Sequence, residues 1–553
     1  MKYTLITAAL AVGILALLVS IRLAPQPFGT DSAEYIEQAR SILAGNGSQA
    51  RPFEVDDELD CSLQPTYWFP PGYPAVIAVG AFATGASTET VAPWVNRVAL
   101  VILPLVIYLA IRSIIGDYYA AYLGLLEGLS PGVINFGQFA LSDVLSVMVV
   151  VVSSGLILTA WSSCKKPGAL SLAFVGGLLS GYAYLIRHQN IAFIISIPII
   201  FAFWLIVCHS REERIKTLRT CLGWALGSSI VVLPWCARNL ILFGSIHPYD
   251  ATPSPLSGWD SFRGFVNAQV SDIVGSPDFG ARFGLMAFVI LTVSITVLLL
   301  RYWPIVSNEQ RKALTFSIGY TLIGSAIVIV YAAIMFGGDE FSRFTLQYTP
   351  FILLLIGITI RNVFSDRKAS IILCFAVTIL WGISRIITIA PGWTCSSVEA
   401  AVYDYIADLD YDRFSTYAND GDPLIVSNYA YLYRIVHDAD ALHPRHEMKD
   451  QSIKDVLDYV HKLAGNKSVI IAFHPTEYGA IKPEDLPLQR DAVTALTEEG
   501  WHVVENSELA LILVLNNPPA LPAIGERKGP EQTTPEEASE SKDEQDSENE
   551  PSR

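Results

Sequence analysis

The chain has 553 residues, 52% of them hydrophobic and 16% charged, with a mean hydropathy of +0.40. This composition excludes an ordinary soluble enzyme and places the chain among integral membrane proteins. The formal net charge of −16 leaves no basic footprint for nucleic acid, and much of it belongs to ERKGPEQTTPEEASESKDEQDSENEPSR, within a disordered acidic tail over 517–553.

The first apolar run, Tyr3 to Ile21, is long enough to cross a bilayer. It reads as a retained span rather than a cleaved signal, because hydrophobic segments recur through residue 390. Further runs cover Pro93 to Ile114, Tyr118 to Phe136, Phe139 to Trp161, Ala169 to Ile186, Ile191 to Val207 and Leu222 to Leu242. After a polar gap come Phe283 to Leu300, Leu314 to Phe336, Phe344 to Ile360 and Ala369 to Ile389. Lipid requires every backbone group to be satisfied internally, so the pattern predicts an all-α polytopic membrane bundle of about eleven transmembrane helices over 1–390.

Alternate loops carry the cations Lys165 and Lys166, then Arg211, Arg214, Lys216 and Arg219, then Arg301, Arg311 and Lys312, then Arg361, Arg367 and Lys368. Lys and Arg resist translocation, so these loops are expected to be cytoplasmic. The complementary set faces the opposite side: the 24–92 loop, Asn135 to Gln138, Arg187 to Asn190, 243–282, Gly337 to Arg343 and everything after 390.

Candidate chemistry gathers on that outer set. In PFGTDSAEYIEQARSILAGNG, Asp31 enters a short amphipathic helix whose polar face repeats Asp31, Glu34 and Gln38 against an apolar stripe of Ile36, Ala39 and Leu43. Two readings stand: Asp31 and Glu34 form a capping pattern, or Asp31 is a catalytic carboxylate. PTYWFPPGYP sets Tyr67, Trp68, Phe69 and Tyr73 among prolines, a stiff membrane re-entry in which Trp68 and Tyr73 anchor at the interface or wall a substrate. Asp143 begins near the outer end of a span, where a carboxylate is costly unless paired or functional; Glu127 in the preceding span raises the same question.

Arg187, His188, Arg238 and Arg343 supply outer cations whose guanidinium forks suit a phosphate, or which anchor at the interface. Acids and arginines on one side point to group transfer, with a carboxylate base and cations on a departing phosphate. Asp143 and Glu34 meet an acceptor, or carboxylates hold a divalent cation such as Mg or Mn beside it, although two are too few to define a metal site.

Residues 391–516 change character. PLIVSN, SVIIAFH and LALILVLN are strand-like, KDVLDYVHKLAG and RDAVTALTEEG are helical, and together they predict a small extracytoplasmic α/β domain. Cys61 and Cys395 are the two cysteines clearly outside the membrane on that side and are candidates for a disulfide. The sequons at Asn46 and Asn466 lie there too.

The ordered pieces GTDSAEYIEQARSILAGNG, WFPPGYP, LSPGVINFGQFALSDVLS, PWCARNLILFG and RFTLQYTP resemble the GT-C superfamily of polyprenyl-phosphate-sugar glycosyltransferases, the group with protein O-mannosyltransferases and lipid A aminoarabinose transferases. The resemblance covers about 1–360. It implies an inverting enzyme that moves a sugar from a polyprenyl-phosphate donor to a glycan, lipid or protein acceptor at the non-cytoplasmic face. It further implies that Asp31 is the catalytic acid of the first outer loop, Asp143 the second acid near metal or acceptor, and Arg343 the arginine on the donor phosphate. Ser32 stands where mannosyltransferases often carry a second acid, and Phe69 where aminoarabinose transferases carry Lys. A secondary transporter and a non-enzymatic envelope scaffold are the competing classes; no internal repeat favours the transporter.

Overall fold

The computed structural model describes residues 2–23, 28–52, 61–162, 168–208, 210–248, 257–274, 277–335, 341–363, 397–411, 423–443, 453–464, 468–474, 486, 488–498 and 501–515. Helices in chain order are α1 (Lys2–Leu23), α2 (Thr30–Leu43), α3 (Gly72–Thr84), α4 (Thr88–Ile115), α5 (Asp117–Gly128), α6 (Pro131–Gln138), α7 (Asp143–Ser162), α8 (Ala169–Ile186), α9 (Ile191–Val207) and α10 (Arg211–Phe243). They continue with α11 (Gly258–Val274), α12 (Pro277–Tyr302), α13 (Asn308–Gly319), α14 (Ser325–Met335), α15 (Phe341–Thr345) and α16 (Thr349–Val363).

Among the described residues seven helices are long and apolar enough to cross a membrane, against the expected eleven or so. The differences have local causes. The run Tyr118 to Phe136 is broken at Ser130, whose ψ of 132° is extended because Pro131 follows it, giving the short α5 and α6. Leu314 to Phe336 contains a π turn over Tyr320–Gly324 yet is one of the seven, as Asn308–Val330, whereas Phe344 to Ile360 becomes the 15-residue α16. Ala369 to Ile389 and the acidic tail lie outside the described residues.

Small residues let the spans approach. A Cβ on Gly177 of α8 would collide with the Trp224 carbonyl of α10, and one on Gly227 of α10 with the Phe174 carbonyl of α8. Gly13 of α1 meets Val101 of α4 in the same way. At one end of the bundle Lys312, only 2% exposed, binds Glu213 at 2.7 Å and the Trp161 carbonyl at 2.8 Å. Trp161 lies near the end of the 20-residue α7 and Asp143 at its start, so these two points are separated by roughly 30 Å.

Beyond the bundle, β3 (Leu424–Ser427), β4 (Ala441–Leu442), β5 (Val469–Phe473), β6 (Trp501–Asn506) and β7 (Leu511–Leu515) form one sheet in the order β4-β3-β5-β7-β6, following the two-residue pair β1 (Gln49–Ala50) and β2 (Gln64–Pro65). β4, β3 and β5 are parallel, whereas β7 is antiparallel to both β5 and β6. The central strands β3, β5 and β7 are buried along their lengths, which is why they read as unbroken Val, Ile and Leu runs instead of alternating.

Gly177→Val should cost about 1–3 kcal/mol, because backbone rather than a movable side chain occupies the space. Thermal unfolding in detergent checks this; an unchanged transition would remove the close-approach account of the α8–α10 pair.

Candidate active site

The start of α2 decides between the two readings of Asp31. The N-cap is Gly29, with extended φ and ψ of −119° and −179°, and Ser32 reaches back to accept from the Gly29 amide at 2.9 Å. Ser32 also donates to the Ala140 carbonyl at 3.1 Å, tying this turn to the α6–α7 junction. Asp31 is therefore in the first helical turn but is not the cap.

Its carboxylate is instead 2.8 Å from Nη2 of Arg343, on α15. The same guanidinium faces Asp143, with Nε 3.4 Å from Oδ1 and Nη2 3.3 Å from Oδ2. Arg187, the C-cap of α8, donates to Oδ1 of Asp143, the oxygen that Arg343 Nε also faces. Four residues named from the sequence thus form one chain of alternating charge, Asp31–Arg343–Asp143–Arg187. Exposure distinguishes the acids: the Asp143 side chain is 1% exposed and that of Asp31 23%. Asp143 holds two guanidiniums from a buried position, and Asp31 is the more accessible of the two acids.

The remaining candidates fall elsewhere. Arg238 donates to the carbonyls of Thr66 at 2.8 Å and Ser48 at 3.3 Å and lies over Trp235, so it holds the β1–β2 region. His188 is buried, with Nε2 3.3 Å from the Tyr67 carbonyl and its ring against Tyr184, Trp235 and His247. Tyr73 is fully buried and donates to the Ala92 carbonyl at 2.8 Å, whereas Trp68 is exposed. Cys61 is described, but Cys395 lies outside the described residues and so does that expected pairing.

Glu34 does not join the charged chain; it is partly buried one turn along α2. Burial, then the negative charge of neighbouring Glu37, push its pKa up to about 8, against the pull of Arg434. Glu37 itself is 3% exposed and accepts from the Arg51 amide and Nε, each at 2.9 Å. Arg51 continues to Asp438 at 2.7 Å and Asp440 at 3.0 Å, and the fully buried Arg434 lies 3.6 Å from Glu37 and donates to the Pro52 carbonyl. Arg434 belongs to helix Ala430–His437, so the sheet region grips α2 by its polar face.

Two supports had no motif to mark them. Asn96, fully buried in α4, donates to the carbonyls of Phe136 at 2.7 Å and Phe139 at 3.2 Å and accepts from the Leu145 amide at 3.1 Å, bracketing the turn that presents Asp143. Asp272 of α11 accepts from Ser130, from the Gly132 amide at 3.1 Å and from Thr349 at 2.8 Å, joining α11 to α6 and α16. A buried Asn or Asp with local and distant partners looks in sequence like any other polar residue in an apolar run.

No protein-family model matches the sequence, and no match was found among curated proteins. Solved structures do match in shape. ArnT from Cupriavidus metallidurans bound to undecaprenyl phosphate aligns at a TM-score of 0.52 and 12% identity, over 94% of this chain and 98% of that one. Its apo state gives 0.53 and 12%, over 92% and 97%. The Archaeoglobus fulgidus oligosaccharyltransferase in complex with zinc and sulfate gives 0.51 and 13%, over 83% and 67%. The chain has the GT-C fold. At these identities the likeness concerns the GT-C arrangement of helices and leaves the chemistry to this chain's own residues.

The divalent ion left open by the sequence can be tested against the donor set. Among the described residues no three His, Cys, Asp or Glu side chains converge. An ion between Asp31 and Asp143 would have to displace Arg343 from both. These residues do not fit a cation site.

From pH about 4.5, the ordinary value for Glu34, to about 8, the native state keeps a proton that the unfolded chain releases, so stability falls as pH rises through that window. Glu34→Gln should flatten this fall. Unfolding temperatures of both proteins across the window test it, and parallel curves would sink the assignment.

Proposed function

We propose that the chain is an inverting glycosyltransferase that moves a sugar from a polyprenyl-phosphate donor to a glycan, lipid or protein acceptor at the non-cytoplasmic membrane face. The observation that carries this reading is that the accessible carboxylate of Asp31 and the buried Asp143 share one guanidinium, with Arg187 beside them. An isolated helix cap has no need of two arginines; a reaction that releases an anion does. The GT-C fold supports the donor class, since ArnT with that fold was solved with undecaprenyl phosphate bound.

In this mechanism Asp31 accepts the proton of the acceptor hydroxyl as that oxygen bonds to the anomeric carbon. The bond from the anomeric carbon to the phosphate oxygen breaks, its electron pair leaves with the lipid phosphate, and a single displacement inverts the centre. Arg343 and Arg187 neutralise the charge that grows on the leaving phosphate, which is the role suited to planar paired donors. Asp143 keeps both guanidiniums aimed before substrate arrives. The sidedness rests on the cationic loops: Lys216 and Lys312 meet Glu213 at the far end of the bundle from Asp143, and Lys and Arg mark the cytoplasmic side.

Purified protein in nanodiscs, incubated with labelled polyprenyl-phosphate sugars and envelope extract, should transfer label. Asp31→Asn should lower the rate about 10²–10⁴-fold while donor binding persists. Arg343→Lys should weaken donor use, because one ammonium cannot span both acids as the fork does. Full transfer by Asp31→Asn would overturn the assignment.

A further inference from the structure

A separate cavity of about 660 Å³ runs beside α2. Phe28, just ahead of Asp31, lines one part of it and Arg40, in the last turn of α2, another; Glu89 and Trp94 of α4 and Tyr403, His437 and Asp438 of the C-terminal region are also in its wall. We propose that this cavity binds a saccharide acceptor that is neutral or amino-bearing, an inference that rests on glycosyl transfer at Asp31 and names the acceptor class.

The wall has two kinds of surface. Trp94 is 46% exposed although its helix enters the membrane, and the rings of Phe28 and Tyr403 lie 6.4 Å apart. Aromatic faces pack against the C–H faces of sugar rings, and a few fixed polar groups orient the hydroxyls. Those groups are Glu89 and Asp438, held by Arg40 between them, with Arg40 2.7 Å from Asp438. Because ion pairs already fix them, a ligand loses little free energy in ordering them.

The charge balance selects among sugars. Arg40 is shared by Glu89 and Asp438, and Asp438 also receives Arg51, which Glu37 and Asp440 hold in turn; with Arg434 on Glu37, four acids meet three guanidiniums and each guanidinium is already engaged. A phosphorylated or sulfated acceptor meets repulsion there, whereas a hydroxyl both donates to the carboxylates and accepts from the guanidinium, and an amine gains a favourable partner. A tryptophan near the start of a spanning helix commonly anchors at the lipid interface. Trp94 differs in sharing a cavity with Tyr403 and Asp438, which come from the C-terminal region. The volume suits two or three sugar rings, within the ordinary range for small-molecule sites.

The test uses the full chain in nanodiscs and saturation-transfer NMR with cellobiose, mannobiose and chitosan disaccharide, and with a sulfated disaccharide as the anionic arm. At least one neutral or amino disaccharide should bind, at least tenfold more tightly than the sulfated one. Trp94→Ala should weaken that binding tenfold or more, with Trp94→Phe largely restoring it; Tyr403→Ala serves if Trp94→Ala does not fold. Glu89→Gln should narrow the discrimination against sulfate. Preference for the sulfated sugar, wild-type binding in both alanine variants, or no disaccharide binding would overturn the inference. Saccharide binding without any label transfer from polyprenyl-phosphate sugars would instead overturn the enzymatic reading, and transfer without saccharide binding would overturn this inference alone.

Discussion

The guanidinium of Arg343 lies between the carboxylates of Asp31 and Asp143, and the site exists only because that bridge is made. A charged carboxylate as deeply buried as Asp143 is too expensive at the end of a membrane bundle unless cations accompany it. Arg187 supplies the second cation, and Arg343 spans from Asp143 to Asp31. Three segments far apart in the chain, near 31, 143 and 343, therefore have to arrive together, and much of the surrounding structure makes them do so. Asn96 fixes the α6–α7 turn, and Asp272 pins α11 to the starts of α6 and α16.

The C-terminal region acts on the same geometry from the opposite direction. Arg434 and Arg51 converge on Glu37, and Asp438 receives both Arg40 and Arg51 on one oxygen. Asp438 does this from a left-handed backbone conformation with φ of 52°, at the end of helix Ala430–His437, a conformation in which Asp is among the better tolerated side chains. α2 is thereby gripped along its polar face, while its first turn remains open toward Arg343. Orientation of the catalytic candidate becomes a property of both parts of the protein.

The same physics explains how a GT-C fold persists at 12–13% identity. Spans need only be apolar and small where they cross, so many sequences satisfy them. What cannot drift freely is the charge balance at the bundle end, since each buried ion constrains its partner. The charge network beside α2 is a different one, in which Asp438 joins Arg40 to Arg51 and Arg40 reaches on to Glu89.

Hydropathy alone determined the membrane bundle, most of its helices, the unbroken strand runs and the short list from which the site is drawn, because burial in lipid or in a sheet centre imposes a local pattern on consecutive residues. Asp31, Asp143, Arg187 and Arg343 were all legible as costly or well-placed charges. Only the tertiary structure decided that Ser32 and not Asp31 completes the N-terminal cap, that Arg187 and Arg343 join the acids while Arg238 and His188 hold backbone carbonyls, and that Glu37, Asn96 and Asp272 are the supports. A side chain's cost is written in its own neighbourhood, but its partner is chosen by the packing of other segments, 44 residues away for Arg187 and Asp143 and 312 for Arg343 and Asp31.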